Sequence, residues 1–461
     1  MTMKTHHLIF LVIAAMAAMT LIFFGVKADR LIRIGAGYKA KIACSEIFLA
    51  NRDAKLILKN EFAGMDPVLQ QVKVKADLEK KETRAAGPLG LGHAKAVYRD
   101  GYGCALANSG RILPTPTLPD VTPQAWAEAP AISGKAINRV DYAAIDFALT
   151  NAFDNNTAAH RSLLVAVDGK IVDERYAEGF NKETPFLSWS MAKSITATLI
   201  GAAVEQGLID INEPAPVPEW AGDSVRANIT WHDLLQMQSG LEFSEEYGDP
   251  RSDVNRMLFE LADAGAFAAN KPAAYKPGEH WYYSSGTSNL LSRTLRQTLE
   301  AKGIDYHAFS QEALLTPIGA GDTTIETDAS GSFIGSSFIY ATARDWARLG
   351  QLYLQNGVWN GERLLPEGWS DYVAAPAPMS DNQYGAHFWL NRDGKDRERF
   401  IPGLPEEVYY MAGHEGQYVI IIPSKRMVIV RTGMTRGANP IELVAPVVKE
   451  IYDAVGEPEG A

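Results

Sequence analysis

Positive charge is in short supply in this chain. Forty-four Lys and Arg face fifty-five Asp and Glu, a net charge of -11 at pH 7, and that balance lacks the broad basic face by which proteins hold a polyanion. Nucleic acid is excluded as a partner on this ground. Cysteine is nearly absent: the two present, Cys44 and Cys104, are too few for a disulfide-dense scaffold. As one pair in the amino-terminal quarter they are compatible with a disulfide formed outside the cytosol, and equally with two buried thiols. No Gly-x-Ser-x-Gly occurs, which removes the nucleophile elbow of ordinary α/β-hydrolases, and no His-Glu-x-x-His occurs, which removes the commonest zinc-protease arrangement. The nine histidines show no metal-ligand spacing, and no internal repeat or long low-complexity tract is present.

What is there suits a globular enzyme. The 461 residues, 46% hydrophobic and 21% charged, allow two or more domains, or one large domain with an extension. Residues 8–26 carry no charge, close to the roughly 20 residues that cross a bilayer as a helix. They predict a membrane segment within residues 1–28, read as an uncleaved anchor, or as a signal cleaved after Ala28 at Val26-Lys27-Ala28. Lys27, Arg30, Arg33, Lys39 and Lys41 follow the run and only Lys4 precedes it, a bias that by itself would keep the downstream flank cytoplasmic. The reading adopted against that bias is anchorage on the periplasmic face of a bacterial inner membrane, or secretion.

Residues 29–120 read as a small β-rich extension. Val72, Val74, Ala76 and Leu78 alternate with Lys73, Lys75 and Asp77, the period of a half-buried strand. Asp100-Gly101 is a hairpin signal within residues 96–106, and a bond from Cys104 to Cys44 would staple the module. Pro114, Pro116, Pro119, Pro123 and Pro130 then mark a largely extended linker, so that residues 121–150 form a lead-in to a domain over 151–461. That domain opens on a hairpin, residues 163–167 and 171–176 around Asp168-Gly169. It closes on another, 418–422 and 427–431 around Pro423-Ser424-Lys425, before a helix carrying Leu443, Val444, Val447, Val448 and Ile451. Hairpins at both ends with helical segments between predict an α+β fold, a two-layer antiparallel sheet flanked by helices with a helical subdomain beside it.

Chemistry centres on Ser190-Met191-Ala192-Lys193. Ile195, Leu199, Ala202 and Ala203 continue one helical face, which puts Ser190 and Lys193 at a helix start and facing the same way. A serine hydroxyl is inert at its own pKa, and an amine kept neutral by burial, or a positive helix end, can activate it. By itself the pattern is weak, since a helix-start serine and a surface lysine would look the same.

The segments that follow supply context. Gly207-Leu208-Ile209-Asp210, then ITWHDLLQMQSGL (229–241), PGEHWYYSSGTSNLL (277–291), ATARDWARLGQLYLQNGVWNGERLL (341–365) and GHEGQYVIIIP (413–423) stand in order. Over residues 155–455 this series resembles the serine β-lactamase and penicillin-binding-protein-like hydrolases: class C β-lactamases, DD-peptidases, related esterases and aminohexanoate-oligomer hydrolases. The resemblance implies a β-lactamase/DD-peptidase-like fold, with Ser190 as nucleophile and Lys193 and Tyr283 as proton-transfer partners. On this reading Tyr283 acts as a base with its pKa near 10 lowered by the lysine charge. It further implies oxyanion donors in the backbone N–H groups of Ser190 and Gln417, with Gly416 giving the substrate close access to backbone and His414 touching substrate.

No cofactor or metal is required by such a machine. The sequence departs from the family where Ser285 stands for an asparagine of the Tyr-x-Asn motif and His414 for a lysine of Lys-Thr-Gly. Both changes remove groups that would hold a β-lactam, and they leave Ser285 as a substrate-binding candidate. The expected function is hydrolysis of a small ester or amide through a Ser190 acyl-enzyme. The alternatives are a DD-peptidase or D-amino-acid peptidase, or a catalytically inactive membrane-tethered binding or sensor protein of the same fold. The aromatics Trp189, Trp281, Tyr282 and Trp389 flank the motifs, with core packing as their default role. Oligomeric state is not legible.

Overall fold

A computed structural model describes residues 29–65, 67–108, 112–114, 117–119 and 137–458, and the chain divides into two compact units. The first comprises Met1–Arg99, Cys104–Ile112 and Glu246–Ala262; the second comprises Asp100–Gly103, Leu113–Glu245 and Asp263–Ala461. The uncharged run at 8–26 lies outside the described residues, as do Pro116, Pro123 and Pro130 of the linker. Among the described residues no helix is long and apolar enough to cross a membrane.

In the first unit a helix over residues 29–44 sets Ala36, Ala40 and Cys44 four apart on one stripe. These small side chains lie close against Ala85, Ala94, Ala96 and Leu106. Those four belong to a sheet of Lys73–Asp77, Glu82–Ala86, Ala94–Arg99 and Gly103–Leu106, in sequence order. The expected alternation holds from Val72 to Ala76, with Lys73 and Lys75 outward and Val74 and Ala76 half-buried, but it stops there, since Asp77 is half-buried and Leu78 lies beyond the strand end and is 63% exposed. Cys44 and Cys104 form a disulfide, with Cα atoms 6.0 Å apart.

Helix Asp253–Phe259, capped by the Ser252 hydroxyl, belongs to this unit although it lies far along the chain. Glu260 pairs with Arg30 at 3.0 Å, the Phe259 ring meets the edge of Tyr38 at 5.3 Å, and Asn108 Nδ2 donates to the Phe259 carbonyl at 3.3 Å. Gly37 is required there, because a Cβ would stand 2.0 Å from that same carbonyl.

The second unit is built on a six-stranded antiparallel sheet. Its order is Trp389–Leu390, Tyr409–Gly413, Gln417–Ile422, Met427–Gly433, His160–Val167, Lys170–Tyr176. The two hairpins read from sequence therefore join edge to edge, with Ile429 opposite Val165. Alternate side chains enter two separate cores. Val419, Ile421, Val428 and Val430 pack with helices Ala192–Glu205 and Ala343–Leu354. Ile420, Ile422, Met427 and Ile429 pack with helices Tyr142–Asn155 and Pro440–Asp453.

Helices thus cover both faces, and the two-layer expectation is corrected to helix, sheet, helix. The physical reason is that the central strands are apolar on both sides and would otherwise leave one oily face in water. Helices Trp231–Leu235, Ala264–Ala269, Ser285–Ala301 and Tyr306–Ser310 complete the first core. A small three-stranded sheet, Phe186–Leu187, Ile339–Ala341, Thr324–Ile325, leads into the motif helix.

The disulfide closes a sequence separation of 60 residues, for which loop-closure entropy gives about 4 kcal/mol of stabilisation. Cys104→Ala should lower the unfolding midpoint of the first unit in differential scanning calorimetry. In the parent, thiol titration should find no reactive cysteine until the protein is both unfolded and reduced. An unchanged midpoint would show that the bond carries no stability.

Candidate active site

The nucleophile candidate sits on a tightly held turn. After strand Phe186–Leu187, Ser188 N donates to the Ile339 carbonyl at 2.8 Å and its hydroxyl accepts from Ile339 N at 3.1 Å. Trp189 then takes φ 44, a left-handed conformation that costs a bulky residue energy and that clusters at functional sites. Its ring is wedged between Phe338, 5.9 Å away, and the edge of His414, 5.5 Å away. Ser190 follows, half-buried, in the single turn Trp189–Met191 that opens helix Ala192–Glu205.

Lys193, one turn on, is 1% exposed. Its Nζ donates to Ser190 Oγ at 3.0 Å, to Ser285 Oγ at 2.9 Å and to the Ser336 carbonyl at 3.0 Å. The three donors of an ammonium are thus satisfied. Burial lowers its pKa to about 8, against the opposing pull of the Glu245 charge. Asn289 holds the third acceptor, donating to Ser336 Oγ at 3.0 Å and accepting from Ser336 N at 3.2 Å.

Tyr283 precedes helix Ser285–Ala301, whose amino end is capped by the Ser284 hydroxyl accepting from Thr287 N at 3.1 Å. The Ser190 side chain is one of the groups that act on the Tyr283 hydroxyl. Its ring lies 4.8 Å from Lys193 Nζ, 5.7 Å from the Tyr384 ring and 5.3 Å from the Trp389 ring. Its pKa runs opposite to the sequence expectation. Desolvation by this aromatic wall, then the Glu245 charge, pushes the phenol well above 10, whereas Ser190 only partly opposes them. Tyr283 is held as a neutral phenol, a proton donor rather than a resting base.

Ser285 is buried between the lysine and a carboxylate. It accepts from Lys193, donates through Oγ to Glu245 Oε1, and donates through its backbone N to Glu245 Oε2 at 2.8 Å. Glu245 was missed in the sequence. Its only signal was an acidic residue four positions after Ser239-Gly240-Leu241, and nothing in the spacing linked it to Ser285.

The third motif forms the turn between strands Tyr409–Gly413 and Gln417–Ile422. Gly413 is where this strand end meets the nucleophile turn, since a Cβ there would stand 2.2 Å from the Ser188 carbonyl. His414 keeps solvent contact against Trp189, and the protein around it lowers its pKa. Gly416 has φ +86, and a Cβ would lie 2.3 Å from Arg431 Nη1. The glycine is thus demanded by a buried guanidinium, a reason that the sequence reading did not contain. The Gln417 side chain donates to the His414 carbonyl at 3.0 Å and the Gly433 carbonyl at 2.7 Å, and accepts from Gly433 N at 3.0 Å. The structure therefore brings Ser190, Lys193 and Ser285 into one hydrogen-bonded group, with the Tyr283 ring against Lys193 and His414 reaching the group through Trp189.

A family model described as Beta-lactamase matches residues 153–445. The 6-aminohexanoate-dimer hydrolase of Paenarthrobacter ureafaciens is 29% identical over 261 residues, covering 54% of this chain; the match spans 62% of that relative's length. Among solved structures, a Bacillus anthracis protein provisionally described as a 6-aminohexanoate-dimer hydrolase superposes with TM-score 0.57 at 22% identity, covering 75% of this chain and 90% of the other. A family VIII carboxylesterase superposes with TM-score 0.54 at 15% identity, covering 68% and 97%. These two likenesses show the fold.

Because the Glu245 charge is what raises Lys193 against desolvation, Glu245→Gln should move the Lys193 titration to lower pH. Carbon-13 NMR of the lysine side chain would read it directly. A titration that stays in place or moves upward would contradict the electrostatic link.

Proposed function

The chain belongs to the β-lactamase family, and on that premise we propose that it is a serine hydrolase cleaving a small ester or amide through an acyl-enzyme on Ser190. One observation carries the reading: a buried lysine with its pKa lowered to about 8 stands 3.0 Å from Ser190 Oγ, with the Tyr283 ring 4.8 Å from the same amine. Relatives with names of this kind, an aminohexanoate-dimer hydrolase and a carboxylesterase, support the reaction class.

In acylation, neutral Lys193 takes the Ser190 proton as Oγ bonds to the substrate carbonyl carbon. Charge moves to the carbonyl oxygen, for which the backbone N–H groups of Ser190 and Gln417 are the proposed donors. As the intermediate collapses, the Tyr283 phenol protonates the leaving oxygen or nitrogen while its bond to carbon breaks. Lys193, now an ammonium near the Tyr283 ring, then gives its extra proton to the Tyr283 phenolate oxygen and restores the phenol. Water then attacks the ester carbon and gives a proton to the same pair, which passes it to Ser190 Oγ as the bond from Oγ to the acyl carbon breaks. Glu245, bonded to Ser285, keeps a carboxylate beside Lys193, which weighs against a substrate that would place its own carboxylate there. Placement outside the cytosol, at or beyond a membrane, is part of the proposal. The Cys44–Cys104 disulfide and the uncharged run at residues 8–26 support it.

A fluorophosphonate probe should label the parent protein at Ser190, located by peptide mass spectrometry. Ser190→Ala should lose label and turnover together, with kcat falling by about 10³-fold or more. A folded parent that neither labels nor turns over simple esters would move the assignment to a binding protein. Since protonation of Lys193 removes the base, kcat/KM of the parent should rise with pH through about 8. A flat profile from pH 6 to 9 would remove Lys193 from that role.

A further inference from the structure

Strand Met427–Gly433 is buried throughout, and one of its residues is an arginine that is 0% exposed. A buried guanidinium is tolerated only when its donors are met, and this one has five N–H donors. Nε donates to His160 Nδ1 at 3.2 Å; Nη1 donates to the carbonyls of Glu415 at 2.9 Å and Gly416 at 2.5 Å; Nη2 donates to Thr435 Oγ1 at 2.8 Å and to the Ala158 carbonyl. All five are matched, and none of these contacts has a part in the proton transfers.

Two of the five acceptors are successive carbonyls of the turn that carries His414 to Gln417. The peptides are trans, and a trans peptide points its C=O and its N–H in opposite directions. Drawing the Gly416 carbonyl onto Arg431 therefore turns the Gln417 N–H the other way, off the guanidinium. We propose that Arg431 is a positioning residue that aims the Gln417 N–H at the developing oxyanion. This inference rests on the hydrolase reading above.

The neighbouring residues fit the role. Gly416 leaves no room for a Cβ against Nη1, so turn and guanidinium close on each other. The Gln417 side chain, bonded both ways to Gly433, fixes that residue from its other side. His160 must be neutral to accept from Nε, and burial first, then the Arg431 charge, pushes its pKa down to about 3. The acceptor therefore persists at neutral pH. Oxyanion donors act through being pre-aimed, so a small rotation of one peptide weakens the transition state more than the bound substrate.

The test compares the full-length parent with Arg431→Lys, which keeps the charge but cannot span both carbonyls and the other acceptors. With a p-nitrophenyl ester, kcat should fall about 10²-fold, the scale of one lost oxyanion donor, while KM stays within about threefold. The ester should also lose most of its kcat/KM advantage over the matching thionoester, because sulfur is the poorer acceptor and only an aimed donor discriminates against it. A folded lysine variant with parental kcat, or with reduced kcat but parental ester-to-thionoester preference, would overturn the proposal and leave Arg431 as a stability element. Should that variant not fold, Thr435→Val decides, as it removes one acceptor of five. A reduced ester-to-thionoester ratio supports the aim, and a parental ratio with a lowered unfolding midpoint overturns it. A parent that never labels at Ser190 would end the hydrolase reading before Arg431 is altered.

Discussion

A lysine sealed from water governs the geometry of the second unit's site. Lys193 cannot be buried as an ammonium without three acceptors, nor be useful as a base unless burial destabilises its charge. Ser190, Ser285 and the Ser336 carbonyl meet the first demand. They come from three separate stretches of chain, so the motif helix, the start of helix Ser285–Ala301 and the segment before strand Ile339–Ala341 must all converge on one nitrogen. The second ring of contacts follows from the same need: Asn289 holds Ser336, and Glu245 holds Ser285. Glu245 also tempers the desolvation, so that burial lowers the amine only to about 8.

The sheet performs a second, mechanical task. Pairing of the last hairpin with the first, Met427–Gly433 against His160–Val167, brings the third-motif turn to the nucleophile turn, where Gly413 permits backbone contact with Ser188. Two buried cores clamp the sheet from either side, so the turn at its end rests on a rigid base. Arg431 then locks the turn by its carbonyls. Strain at Trp189, which takes φ 44, is compatible with such a frame because Ser188, Phe338 and His414 overdetermine its position.

Much of this was legible in the chain. The hairpins and the closing helix announced themselves by period and by turn residues, and three-residue spacing on a helix start was enough to put Ser190 beside Lys193. Tyr283 and the third motif were reached only through ordered segments resembling a family, since no local pattern marks a tyrosine hydroxyl as pointing at a serine. Cys44 and Cys104 could be paired or free on sequence grounds, and helix packing resolved that by bringing their Cα atoms within 6.0 Å.

Sequence by itself determined what is local or repeated along the chain: strand and helix periods, the Ser-x-x-Lys pair, the scarcity of cysteine and of basic charge. Only the tertiary structure decided what depends on distant residues meeting. It placed Glu245 on Ser285, joined Glu246–Ala262 to the first unit, covered the sheet on both faces, gave Gly416 its reason in Arg431, and reversed the expected direction of the Tyr283 pKa. The physical reason is common to all five. Desolvation, charge and close packing act through space, and the groups concerned lie tens to hundreds of residues apart in sequence, where no periodicity connects them.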